Sequence, residues 1–334
     1  MLSIYPPSRK EAGPTAARFF EHLAAATGAS FRPFCCARAA MVFGLKAIGL
    51  QRMDEILVPP FMCWAVLAAL DRAAFPAMAL SARTKAILVF HQFGFPQRLD
   101  VIEKHAAARG LFILNDAAHT LFSSWEGRRI VTWGDATVVS LPKLFPCTLG
   151  GGLWTQDARI LGRLAADYEA LRERHRPHAD EAFDRLLEID FPDGAAAHPL
   201  EVEAVYGYLP SLVAFPEGAL GRLPAGAEAL RQDVVRRQRL WQMVREAFPG
   251  RTPVCEDSEV VPLAIPVGGD AAALRRVAEE ISRAGDMETP VLHFDFARNM
   301  LEPDHRPAIL IGCHEGWTEE VVDRVCALIA DGLQ

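Results

Sequence analysis

Lysine is scarce in this 334-residue chain: Lys10, Lys46, Lys85, Lys104 and Lys143 are the full set, and arginine supplies the other thirty basic residues. No lysine follows Lys143. The chain is also short of positive charge overall. A formal charge of −7 and a pI near 5.8 argue against nucleic acid or an anionic membrane as the main partner. No apolar stretch reaches the ~18–20 residues of a membrane span, and the opening MLSIYPPSRKEAGP lacks the apolar core of a signal peptide. Seven scattered cysteines are an odd number and suit reduced thiols rather than a disulfide framework. No Cys/His cluster has zinc-ligand spacing, so no metal is expected. These absences together predict a cytoplasmic protein. There is no internal repeat and no low-complexity segment.

What is present is ordinary globular composition, 51% hydrophobic and 23% charged. Helical periodicity marks 15–26 and 38–49. A short apolar strand at Glu55–Val58 stops at Pro59-Pro60, and 61–71 reads as a buried helix. The clearest unit follows: strand Ala86–Phe90, a loop with Gly94 and Pro96, helix 99–109, strand Leu111–Asn115. That is the sequence form of a βαβ crossover and predicts a parallel sheet, with further strands at 136–140 and 152–155. From about 157 the pattern is helical and charged, then loop-rich over 190–226, then helical again over 226–247. The arginine runs Arg172–Arg176 and Arg236–Arg239 read as solvated helix faces. Strand 259–265, helix 270–284, strand 308–312 and helix 318–332 complete the chain. The change of pattern places a boundary near 245, with a large domain at 1–245 and a small α+β domain at 246–334.

The segment SLPKLFPCTLGGG (140–152) pins Lys143 between two prolines and ahead of three glycines. Asp116 ends the apolar strand in LFILNDAAH, and His119 follows three residues later. Carboxyl ends of parallel strands are where open α/β folds bind ligands. An Asp–x–x–His and a Ser–x–x–Lys in one sheet call for a joint explanation, and pyridoxal phosphate needs this set. A carboxylate keeps its pyridine nitrogen protonated, a lysine forms a Schiff base, and a hydroxyl or helix N-terminus takes the phosphate. Among the lysines only Lys143 sits in a strand-end loop. The GGG is not a P-loop, since no Gly-Lys-Ser/Thr follows it. His91 reads as a loop-orienting residue, and His314 as the polar end of a strand before a helix capped by Thr318.

Four stretches carry a resemblance: DEILVPPFMCWAVLAAL, TKAILVFHQFGFPQRLDVIEKHAAARGLFILNDAAHTLF, GDATVVSLPKLFPCTLGGGLWT and ILIGCHEGWTEEVVDRV. In order and spacing they resemble the DegT/DnrJ/StrS family of sugar aminotransferases, of the fold-type-I, aspartate aminotransferase-like class. They cover most of 35–156 and about the last thirty residues. The resemblance implies a large domain built on a mostly parallel seven-stranded sheet, a small C-terminal α+β domain, and pyridoxal 5'-phosphate as cofactor. It implies that Asp116 pairs with the pyridinium nitrogen, His119 lies by the ring, Lys143 forms the Schiff base and Ser140 reaches the phosphate.

Three positions depart from the family pattern. The phosphate turn, commonly Ser–Gly–Thr-like, reads Cys36–Ala37–Arg38, where backbone amides or the Arg38 charge would serve; an ordinary surface arginine is the alternative. The position of the ring-stacking aromatic is Cys63, with Trp64 beside it. The segment that usually comes from a neighbouring subunit has no counterpart, and 190–226, with Tyr206, Tyr208 and Phe215, is expected at the interface of a homodimer.

The expectation is an aminotransferase that takes an amino group from an amino acid donor such as glutamate. The acceptor would be a keto sugar, nucleotide-linked, in polysaccharide or secondary-metabolite biosynthesis. A sugar dehydratase and a cofactor-binding but inactive partner protein are the rival readings.

Overall fold

The computed structural model describes residues 2–6, 16–190, 223–224, 226–285 and 287–333. Nearly all of the loop-rich 190–226 stretch lies outside them, so its expected place at an interface does too.

The centre is a seven-stranded sheet. Its strands are β1 (Arg32–Phe34), β2 (Glu55–Leu57), β3 (Phe75–Ala77), β4 (Thr84–Phe90), β5 (Phe112–Asp116), β8 (Ala136–Ser140) and β9 (Gly151–Thr155), in the order β1-β9-β8-β5-β4-β2-β3. The pairs from β8 to β3 are all parallel, and β9 and β1 close one side antiparallel. This is the mostly parallel α/β sheet expected. In the apolar run of β4, Ala86 and Leu88 enter one hydrophobic cluster while Ile87 and Val89 enter the other. Burial on both faces is why a parallel central strand reads as continuously apolar instead of alternating.

Helices α2 (Ala37–Ala47), α3 (Trp64–Leu70) and the start of α5 (Ala158–Asp190) share the first cluster. Helices α1 (Ala16–Thr27), α4 (Leu99–Arg109) and α6 (Ala227–Ala247) share the second. Helix α4 buries Leu99, Ile102 and Ala106 and ends on Gly110 in the left-handed region, φ 62°. The second cluster runs on into the C-terminal layer. That layer is the antiparallel sheet β11 (Ala264–Gly268), β13 (His305–Gly312) and β12 (Val291–Asp295), with helices α7 (Ala271–Gly285) and α8 (Glu319–Gly332).

Several expectations need correction. Helix α3 is not buried: only Ala69 and Leu70 are, and Trp64 is 57% exposed. The expected strand 259–265 is interrupted. Ser258–Glu259 (β10) pairs with β6 (Ser124–Trp125), which also pairs with β7 (Arg128–Arg129), and β11 starts only at Ala264. Between them the chain lies against Gly94, whose added Cβ would meet Pro262 Cα at 2.9 Å, and Pro262 has no N–H to give a ladder. Nor are all the arginines at 236–239 solvated. Arg237 is 3% exposed and spends its guanidinium on Asp233, Pro262 O and Leu144 O.

Candidate active site

Strand register brings the carboxyl ends together. Asp116 is level with Phe90 of β4 and Val138 of β8, and Ser140 closes β8 two residues further on. The loop after β8 carries Lys143, half-buried, and returns through Gly150 to β9. Its first turn is tied by Leu144 N–H and Phe145 N–H donating to Leu141 O, at 3.0 and 2.9 Å.

Asp116 is 2% exposed. Its Oδ1 accepts the Ala118 N–H at 2.9 Å, and no ion pair reaches it among the described residues. Burial pushes its carboxyl up to about 7, opposed by the Ala118 bond and the Lys143 charge. His119 is buried, stacked on Phe93 (centroids 5.5 Å apart, 24° between planes) and edge-on to Phe90 at 4.8 Å. Its Nδ1 accepts the Phe93 N–H at 3.1 Å, which leaves the proton on Nε2. Burial, then the Lys143 charge, hold it well below the usual histidine range, so the ring is neutral. The Lys143 ammonium lies 4.0 Å from the centroid of the Tyr5 ring, and that ring meets His119 edge-on at 6.4 Å. Lys143, Asp116 and His119 therefore form one group.

Ser140 and the start of α2 form a second group, meeting at Gly151. Ser140 pairs with Gly151 across the β8–β9 ladder. A Cβ on Gly151 would overlap the Ala37 nitrogen and the Cys36 carbonyl carbon. The glycines thus admit the first turn of α2 against the sheet, fixed by the Gly150 N–H bond to Cys35 O at 2.7 Å. Cys36 caps α2, and the Cys35 thiol donates to it across 3.9 Å. That bond, helped by the Arg38 charge and the Ala39 and Arg38 amides, brings Cys36 down to about 7 against its burial. Arg38 is half-buried and its charge acts on both thiols, so it is not a plain surface residue. A helix start whose amides and arginine favour an anion could hold a phosphate.

Cys63 stands apart. It is the exposed residue before α3, and no hydrogen bond, ion pair or ring contact among the described residues links it to Asp116, His119 or Lys143. Nearby Phe61, at φ 58°, stacks instead on His293 (4.8 Å, 9°) and leans on His305. His91 orients its loop, accepting Gln97 N–H on Nδ1 and meeting Asn115 Oδ1 through Nε2. Thr318 caps α8 by accepting Val321 N–H. No group of three metal-ligating side chains occurs among the described residues, and no described helix is long and apolar enough to cross a membrane.

The sequence singles out neither Tyr5 nor Arg237. Tyr5 lies in what reads as a tail, and Arg237 sits in an arginine-rich helix with nothing in its neighbours to mark it as buried.

The residues can be tested against the cofactor. A buried carboxyl with one amide partner and, among the described residues, no ion pair fits a protonated ring nitrogen, and the half-buried Lys143 near it fits a Schiff base. An anion-favouring helix start beside Ser140 fits a phosphate.

Comparison with known proteins converges on the same region. The model of the DegT/DnrJ/EryC1/StrS aminotransferase family matches residues 76–173. The L-glutamine:scyllo-inosose aminotransferase of Streptomyces griseus is 31% identical over 165 residues, 42% of this chain and 38% of that protein. The GDP-perosamine synthase of Escherichia coli O157:H7 is 26% identical over 144 residues, 37% of this chain and 40% of the relative. The matched region thus spans about two fifths of either relative's length. Among solved structures, the aminotransferase TlmJ from Streptoalloteichus hindustanus superposes with TM-score 0.67 at 18% identity, over 100% of this chain and 99% of that one. DesI, solved with its TDP-sugar product, gives 0.65 at 19% identity over 97% and 86%. These likenesses show that the fold is shared over nearly the whole chain.

Proposed function

We propose that this chain, whose residues 76–173 match the DegT/DnrJ/EryC1/StrS aminotransferase family, is a pyridoxal phosphate-dependent aminotransferase of that family acting on a keto sugar carried by a nucleotide. One observation carries the reading: the Lys143 amine, Asp116 and His119 are gathered at the carboxyl ends of the parallel strands, with the carboxyl buried and no cation paired to it.

When bound, pyridoxal phosphate supplies an electrophilic carbon for a lysine amine and a ring that absorbs an electron pair. Asp116 would hold a proton on the ring nitrogen, the charge its burial calls for. Neutral His119, fixed by the Phe93 amide, would lie against the ring and its Nε2–H would donate there. Lys143 would tether the cofactor through its amine and, when free, hold or move a proton at Nζ, general acid–base work worth about 10²–10⁴-fold. Ser140 and the Cys36–Ala37–Arg38 turn would take the phosphate. The names of the relatives, a scyllo-inosose aminotransferase and a GDP-perosamine synthase, support a polyhydroxylated ketone as acceptor. Glutamate is the donor proposed.

The test is spectroscopic. Cofactor added to the purified protein is expected to give a visible band that an amino donor bleaches and a keto-sugar nucleotide restores. A band that no donor bleaches would count against transamination. A protein that never takes up the cofactor would favour an inactive partner.

A further inference from the structure

Resting on that assignment of Lys143, we propose that Tyr5 is a positioning residue for the lysine amine, strapped onto it by the turn between β13 and α8.

The strap is built from the first residues of the chain. Ser3 Oγ donates to Tyr5 O at 2.9 Å and accepts Tyr5 N–H at 3.2 Å, which folds Ser3–Tyr5 into a tight local turn. The Glu288 N–H donates to Leu2 O at 2.7 Å, and Ile4 is buried. The decisive anchor is Ser3 O, which accepts two ring N–H groups from the far end of the chain. His314 Nε2 donates at 2.9 Å and Trp317 Nε1 at 2.8 Å. The His314 tautomer is set within its own turn, because Gly316 N–H donates to Nδ1 at 3.1 Å and so leaves the proton on Nε2. Burial brings His314 down to about 4, despite the Ser3 bond, so the ring stays in that neutral form at ordinary pH. Trp317 is fully buried, and only a glycine at 312 leaves room for its indole.

The strap ends with the Tyr5 ring on the lysine ammonium, 4.0 Å from centroid to Nζ. The groups around that amine are Asp116 from β5, His119 from the following turn and Tyr5 itself. A lysine ion-paired to Asp116 would occupy the carboxyl that a pyridinium needs. An aromatic face holds the ammonium by its quadrupole without engaging that carboxyl. From the other side Arg237 donates to Leu144 O at 2.8 Å, fixing the residue after the lysine, while Arg236 donates to His314 O, also at 2.8 Å. Neighbouring arginines of α6 thus hold the His314 turn and the residue after the lysine. This gives the histidine, read from sequence as a strand-end residue, a reason to be where it is.

The experiment uses the full-length protein without cofactor and an amine-acetylating reagent at low dose. Peptide mapping reads acetylation of Lys143 relative to the exposed Lys85 and Lys104 of the same sample. Tyr5→Ala and Tyr5→Leu take the aromatic face away from the ammonium and are expected to raise the Lys143 ratio about threefold or more. Tyr5→Phe keeps that face and should leave the ratio within about twofold. His314→Gln, which disturbs the anchor, should move the ratio in the same direction as Tyr5→Ala. Arg298→Lys weakens another buried arginine, one bonded to Asp257, Ser258 and Pro96 O, and should leave the ratio unchanged. An unchanged ratio in Tyr5→Ala, or a Tyr5→Phe ratio as high as that of Tyr5→Ala, would overturn the proposal. Because no cofactor is present, a protein that passes this test and still fails to bind pyridoxal phosphate counts against the proposed function and not against the strap.

Discussion

A carboxyl group shut away from water at a strand end is costly in its charged form, and Asp116 carries that cost in the cofactor-free protein. The sign of the linkage follows. Its folded value, about 7, lies above the unfolded one, so between pH 4 and 7 the folded state binds the extra proton and stability is lost as pH rises. His91 and His314, each brought down to about 4, and His119, held well below the usual histidine range by its burial, act the opposite way. They bind protons only on unfolding, so stability falls as pH drops below 6.5. Three histidines against one carboxyl make the cofactor-free protein acid-labile. Asp116→Asn removes the opposing group, and the dependence of unfolding free energy on pH between 4.5 and 6.5 should steepen by up to about 1.4 kcal/mol per pH unit. At pH 8 the same variant should be at least as stable as the parent while transamination falls by orders of magnitude. Denaturant titrations at several pH values read the slope; an unchanged slope would mean that Asp116 is not the buried acid described. The grouping of Asp116, His119 and Lys143 at the strand ends is legible in the sequence, because strand-end position and residue scarcity both mark them. Cys63 was a plausible substitute by position only, and the fold leaves it exposed beside a Phe61 turned toward His293.

Among the elements, the meeting of β9 with the first turn of α2 decides whether a phosphate site exists. Gly151 permits it, since a Cβ there would overlap backbone atoms of Cys36 and Ala37 that cannot move without shifting the helix. Gly151→Ala is therefore expected to destabilise the protein by about 1–3 kcal/mol and to weaken cofactor uptake at least tenfold. Gly162 on α5 has open space around its Cβ position, so Gly162→Ala should be neutral or slightly stabilising. Thermal unfolding and cofactor titration compare the two, and equal behaviour would contradict the close approach. The sequence marks a triple glycine after Lys143 but cannot say that the first turn of α2 packs against it. Strands flanking α4 were readable within a residue or two because each holds an unbroken apolar run, Ala86–Phe90 and Phe112–Leu114. Strands β1, β3 and β12 were not: β1 and β3 are three residues long and carry a proline, and β12 mixes His293 and Asp295 with its apolar residues.

Across the whole molecule, both chain ends converge on one lysine. The first residues reach it through Tyr5, and the turn before α8 holds those residues in place. Such long-range closure leaves no periodic trace, which is why the N-terminal segment reads as a tail and Arg237 as a solvated charge. Everything proposed for the function passes through Lys143. The most direct measurement is borohydride reduction of the protein with pyridoxal phosphate, followed by peptide mapping. The account predicts a stable adduct on Lys143 alone and none in Lys143→Ala; a tag on Lys46, Lys85 or Lys104, or undiminished labelling of the Lys143→Ala variant, would contradict it.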